Sequence, residues 1–296
     1  MILIHSVSTK RIKRVFNYFL NIFYNKIITQ IFLIFFLTLP VQAIEKTQVD
    51  RLVQVLNLKD LFQELQNEGV TAGIEMLKEE GQQSQEWVSK LNEIYSSDSM
   101  QEFFRNELLK LNIFEDVESA IDFYETTFGK KLIKNELTTR RILKSELGKA
   151  EAKKIFNQLK YFKPNRLKVY QKIIGENHYI EDNVSSSMNS NLAFYQGYSL
   201  SLPSDKQRLL EAEIISKIWT NEIETRKRMT EWVMSFTSYN YKDLTNNELN
   251  NLLDFSKSLP SKRLNNTINY ILDKAFEDQS YRLGQAFATL SEQGGA

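Results

Sequence analysis

A chain of 296 residues with 42% hydrophobic and 25% charged side chains can fill one large core or two small ones, and four prolines with ten glycines supply too few turns for a β fold of that length. The absence of cysteine excludes disulfides, thiolate nucleophiles, zinc ribbons and a lipidated cysteine. The formal charge of +1 combines five bases and no acid in residues 1–43 with 33 bases against 37 acids beyond them, so the body is near neutral and nucleic acid is not an expected partner.

The chain opens on Lys10, Arg11, Lys13 and Arg14, then an apolar run from Ile31 to Leu39, then Pro40-Val41-Gln42-Ala43. A basic start, an apolar stretch and small residues at Val41 and Ala43 predict a signal peptide over residues 1–43, cleaved after Ala43. Because Val15–Tyr24 is also apolar, an uncleaved signal anchor is the alternative. Either way the body is expected in the periplasm, free or tied to the inner membrane.

Beyond Ala43 the period is helical. Val49, Leu52, Val53 and Leu56 form a stripe that Asn57 breaks, and Leu58, Leu61, Phe62 and Leu65 begin the next. Gly69 and Gly81 bracket a stretch holding Ile74 and Leu77, and Ser84 is a candidate cap for a helix carrying Trp87, Leu91 and Ile94. Short helices follow through Phe104, Leu108, Val117 and Ile121 to an interruption at Gly129. Pro164 breaks a later run, and the Ser/Asn-rich stretch 183–191 reads as a joint between an N-terminal helical domain, 44–182, and a C-terminal one, 183–296. Leu209–Phe236 and Leu259–Leu290 carry the last long stripes. The expected fold is all-α, a bundle of about ten helices.

A shift of 132 positions aligns Val117–Phe123 with Leu249–Phe255, with the Asp-Phe pair identical, and sets Thr126 on Ser258 and Leu132 on Leu264. Each stretch reads as a helix, a hydroxyl cap and a second helix, an expected internal repeat.

The segment Asp122-Phe-Tyr-Glu-Thr-Thr-Phe-Gly-Lys-Lys-Leu132 resembles the signature of the bacterial domain of unknown function 2059 family, with Thr127 where that pattern has proline. Asn191–Gly197, Glu231-Trp232, Leu244-Thr245, Phe255-Ser256 and Ser280–Gly284 resemble the same family's longer exported members. The resemblance implies an exported helical protein of Gram-negative type and brings no catalytic residues.

Chemistry-bearing residues are sparse. His178 is the body's one histidine, and Glu181 and Asp182 one turn on are too few for an ordinary metal site. The acid pairs Glu115 with Glu118, Glu211 with Glu213, and Glu222 with Glu224 fit solvated helices better than glycoside cleavage. Phe194, Tyr195 and Tyr198 around Gly197 suit core packing or a ligand cavity. The strongest surface feature is a basic run: Lys149, Lys153, Lys154, Lys160, Lys163, Arg166, Lys168 and Lys172 accompany a lone acid, Glu151. With Phe156, Tyr161, Phe162 and Tyr170 interleaved, that run suits an anionic membrane surface, or a solvated face over a buried stripe.

No catalytic, cofactor-binding or metal residue is assigned and no cofactor is implied. The expected function is a non-enzymatic cell-envelope interaction or scaffold protein that binds another envelope protein or an anionic membrane. The alternatives are an envelope hydrolase with dispersed carboxylates and a carrier of a small apolar ligand.

Overall fold

The computed structural model describes residues 46–79, 85–111, 114–202 and 210–293, which lie in one compact unit spanning Gln42–Ala296. The expected export segment and Ser84 lie outside the described residues. Among the described residues there is no strand, and the fold is the all-α bundle that the stripes predict. In chain order the helices are α1 (Lys46–Val55), α2 (Leu58–Glu79), α3 (Gln85–Ile94), α4 (Ser97–Leu109), α5 (Phe114–Glu125), α6 (Thr127–Leu143), α7 (Glu146–Phe162), α8 (Pro164–Glu176), α9 (Tyr179–Ser201), α10 (Glu211–Thr220), α11 (Glu222–Asn240), α12 (Asn246–Lys257) and α13 (Leu259–Gln293). None is long and apolar enough to cross a membrane.

Tight corners account for there being more helices than the ten or so expected. Asn57 adopts φ 48° between α1 and α2, which an asparagine tolerates because its amide bonds locally, here to Asp60 Oδ2 at 3.1 Å. Between α5 and α6 the Thr126 hydroxyl accepts from the Gly129 amide at 2.9 Å. A Cβ on Gly129 would stand 2.3 Å from the Phe123 carbonyl oxygen, so the glycine lets α6 leave directly from the end of α5. Between α12 and α13 Ser258 accepts from the Ser261 amide at 3.3 Å. Asn221 separates α10 from α11 within the long stripe read over Leu209–Phe236.

Two expectations are corrected. Gly69 is no terminus but lies inside α2, where a Cβ would meet the Tyr95 ring at 2.4 Å; its missing side chain seats α3. The stretch 183–191 is no joint, since it runs inside the continuous helix α9. Serine and asparagine are weak helix formers, and packing overrides that preference: α9 and α13 make the most extensive helix–helix contact of the body.

The main core joins α1, α2, α4 and α5 to α13 through Leu52, Phe62, Phe104, Leu108, Ile121 and Ile271. Phe62 and Phe104 tilt against each other at 5.7 Å. A second cluster around Leu132, Tyr170, Ile173, Tyr241 and Leu249 ties α6 and α8 to α12. Buried polar groups bridge the same helices: Asn177 donates to Ser256 Oγ at 3.0 Å and accepts from Asn265 at 2.6 Å.

Candidate functional site

The most distinctive concavity is a cavity of about 300 Å³ walled by α6, α9 and α11, with Tyr124 of α5, Leu252 of α12 and Asn269 of α13. Its position follows from two local anomalies. On α6 the apolar stripe Leu132, Ile133, Leu137 is interrupted four residues on by Glu136 and Arg140, which puts a charged pair on the inward side of the helix. On α11 every residue from Val233 to Asn240 is buried, so Thr237 and Asn240 are enclosed with Phe236 and Tyr239.

Glu136 accepts from Arg140 Nε at 3.0 Å and from Asn240 Nδ2 at 3.3 Å. The Arg140 guanidinium lies 5.6 Å from the centre of the Phe236 ring, which stacks with Trp232 at 5.1 Å. Asn240 Oδ1 is buried and has no hydrogen-bond partner among the described residues, leaving an acceptor unmatched by them in the cavity wall. Tyr124, Tyr179 and Tyr241 add to the polar lining with Asn183, Thr237 and Asn269. Burial pushes the Tyr124 hydroxyl up to about 12 and raises those of Tyr179 and Tyr241 as well, so all three are neutral donors at physiological pH. Leu132, Ile133, Val233 and Leu252 supply the apolar share. The site therefore offers an apolar body with a polar, charge-paired end.

The basic run divides. Arg166 turns inward: it bonds Tyr170 Oη at 2.9 Å and the carbonyl oxygens of Tyr241 and Leu244 at 2.9 and 2.6 Å, clamping the loop between α11 and α12. A planar, five-donor guanidinium reaches several backbone acceptors at once, which is why the arginine turns inward while the lysines do not. Lys149 pairs with Glu146 at 2.6 Å and Lys153 pairs with Glu231. Lys154, Lys160, Lys163, Lys168 and Lys172 are exposed and form no ion pair with a described residue.

The remaining candidates are dispersed over the fold. Exposed His178 takes φ 53° at the step from α8 to α9, and the described residues hold no cluster of three metal-binding side chains. Glu118 bonds Gln48 and Arg51 at 2.9 and 2.8 Å, Glu213 caps α10, and Glu222 pairs with Arg226 at 2.7 Å. Phe194 and Tyr198 pack on Phe287 at 6.2 and 6.1 Å. Glu136 and Arg140 escaped sequence reasoning, although a charged pair continuing an apolar stripe was the available signal.

No family model, characterised protein or solved structure shows significant similarity to this chain.

Proposed function

We propose that this is a non-catalytic binding protein of the cell envelope whose cavity holds a small amphiphile. One observation carries this: the Glu136–Arg140 pair stands at the wall of a cavity, large enough for a small ligand, that is lined by aromatic and apolar side chains together with asparagine amides and tyrosine hydroxyls. The ligand's body would lie against Trp232, Phe236 and Leu252, and its head would exchange hydrogen bonds with the charged pair and the tyrosine hydroxyls. This extends the expected carrier of an apolar ligand to one with a polar end. A hydrolase has less support, because Glu136 is the one carboxylate lining the cavity among the described residues and glycoside cleavage needs two. Location in the periplasm is supported by the basic-then-apolar start of the chain. The resemblance to the uncharacterised exported family carries no activity.

A second reading, an envelope scaffold for another protein, is favoured by a separate observation. Trp219 and Ile223 at the α10–α11 step are 65% and 79% exposed, an apolar pair of the kind that interfaces cover.

The test of the cavity is saturable binding of anilinonaphthalene sulfonate, whose aromatic body and anionic head match the lining. One equivalent should bind, and Thr237→Trp, which fills the cavity, should abolish binding while helicity is kept. Equal binding by a folded Thr237→Trp protein would overturn the proposal. Native mass spectrometry of material isolated from envelopes should show a retained small molecule.

A further inference from the structure

We infer that the corner between α7 and α8 docks on an anionic lipid surface, with Tyr161 and Phe162 entering the headgroup layer and neighbouring lysines meeting the lipid phosphates. The corner is anchored from within. Leu159 and Leu167 are buried on its inner side, the Lys163 amide donates to Leu159 O at 3.0 Å, and Pro164 opens α8 where no amide donor is needed. On the outer side Tyr161 and Phe162 are 76% and 80% exposed, and Leu147 on the same helix is 82% exposed. Isolated exposed apolar side chains are ordinary, but two adjacent aromatics at a fixed tip are not explained by packing.

Charge complementarity selects the occupant. Lys154, Lys160, Lys163, Lys168 and Lys172 form no ion pair with a described residue, and Glu151 is the only acid from Lys149 to Lys172. Free lysines beside amphipathic rings match a bilayer interface, where aromatics lie at headgroup depth and basic side chains meet lipid phosphates. Arg166 takes no part, because its guanidinium is committed to the α11–α12 loop.

The chain contains no cysteine, so Asn165→Cys in the full-length protein gives a single attachment point for an environment-sensitive fluorophore. The label reports on the corner itself, whatever else in the chain meets the vesicle. Vesicles of phosphatidylcholine with phosphatidylglycerol should shift its emission to the blue, and phosphatidylcholine alone should not. Lys154→Glu, Lys160→Glu and Lys163→Glu together should weaken the partition at least tenfold. Tyr161→Ser with Phe162→Ser should remove the shift, with the circular dichroism unchanged. The inference fails if the label stays silent on anionic vesicles, as it would if the corner met an acidic protein instead. It also fails if the double serine variant keeps the shift, or if a label at Glu86→Cys on α3, which packs on α2 and α13, shifts equally.

Discussion

Phe123 and Phe255 lie face to face, ring centroids 3.6 Å apart and planes 3° from parallel. A full sandwich is the less favoured arrangement of two rings, and here Tyr124 turns its edge to both, at 5.2 and 5.6 Å. The two phenylalanines are related by the offset that aligns Thr126 with Ser258, each a hydroxyl accepting from the amide three residues on. Duplication of a helix–corner–helix unit is the proposal that accounts for this offset, the two copies meeting at the stacked pair.

The stack should behave as a coupled pair. Phe123→Ala and Phe255→Ala are each expected to cost about 2–4 kcal/mol, with the double variant about 1 kcal/mol less damaging than the sum. Urea unfolding of the four proteins measures this; additive losses would mean that the rings contribute only by burial.

The α9–α13 crossing depends on two missing side chains. A Cβ on Gly197 would stand 2.1 Å from Tyr281 O, and one on Gly284 would stand 2.1 Å from Phe194 O. Gly197→Ala and Gly284→Ala must therefore push two backbones apart, an overpacking expected to cost about 1–3 kcal/mol or more. Gly175→Ala on α8 meets nothing within 4 Å and should instead stabilise by about 0.5–1 kcal/mol. Thermal unfolding of the three variants should separate them in sign.

The helical class was legible because apolar side chains recur at three and four positions, and the break at Asn57 was legible because the stripe stops there. The continuity of α9 was not. Its Ser/Asn stretch looks like a joint until the close approach of α13 is known, and that approach rests on glycines 87 positions apart in sequence. The cavity was illegible for a related reason: Glu136 and Asn240 meet only through the packing of α6 on α11. The basic run was visible as a composition, but composition could not distinguish Arg166, which is committed inward, from the exposed lysines around it.

Arg166 should accordingly affect stability and not surface binding. Removing it takes the side-chain donor from the Leu244 carbonyl oxygen, while the Tyr241 carbonyl oxygen keeps the Tyr170 hydroxyl and the Leu244 amide, and Arg166→Met is expected to cost about 1–3 kcal/mol. Arg166→Lys should recover only part of this, since one ammonium cannot span the same acceptors. Chemical denaturation reads the loss, and folded Arg166→Lys should partition onto anionic vesicles as the unaltered chain does.

On the acid side, Glu64 should set part of the pH response. Burial alone would raise its carboxyl, but hydrogen bonds from Lys144 and from Arg141, the latter at 2.7 Å, outweigh this and hold it below the usual carboxylate range. A carboxyl with a lowered folded value contributes stability that is present above its unfolded value, near about 4.3, and is lost as pH falls through the folded value. Glu64→Gln should therefore be less stable than the unaltered chain at neutral pH, and the gap should close towards pH 3, roughly one unit below that unfolded value. A gap that stays constant with pH would exclude the linkage.

The alkaline limb should belong to the cavity tyrosines. Tyr124 is held up to about 12 by burial, with the nearby Glu136 charge adding to it, and Tyr179 and Tyr241 are raised by burial in the same region. An unfolded tyrosine ionises near about 10, so above that pH the unfolded chain releases protons that the folded chain keeps. Stability from these groups is complete below about 10 and falls as pH rises towards the folded values. Tyr124→Phe should flatten this decline in unfolding experiments between pH 9 and pH 12, roughly the span from below the unfolded value to the folded one. A bound amphiphile should protect the fold in the same range if it seals the cavity over the same hydroxyls. Equal alkaline sensitivity with and without the probe, in a protein shown to bind it, would place the probe elsewhere on the molecule.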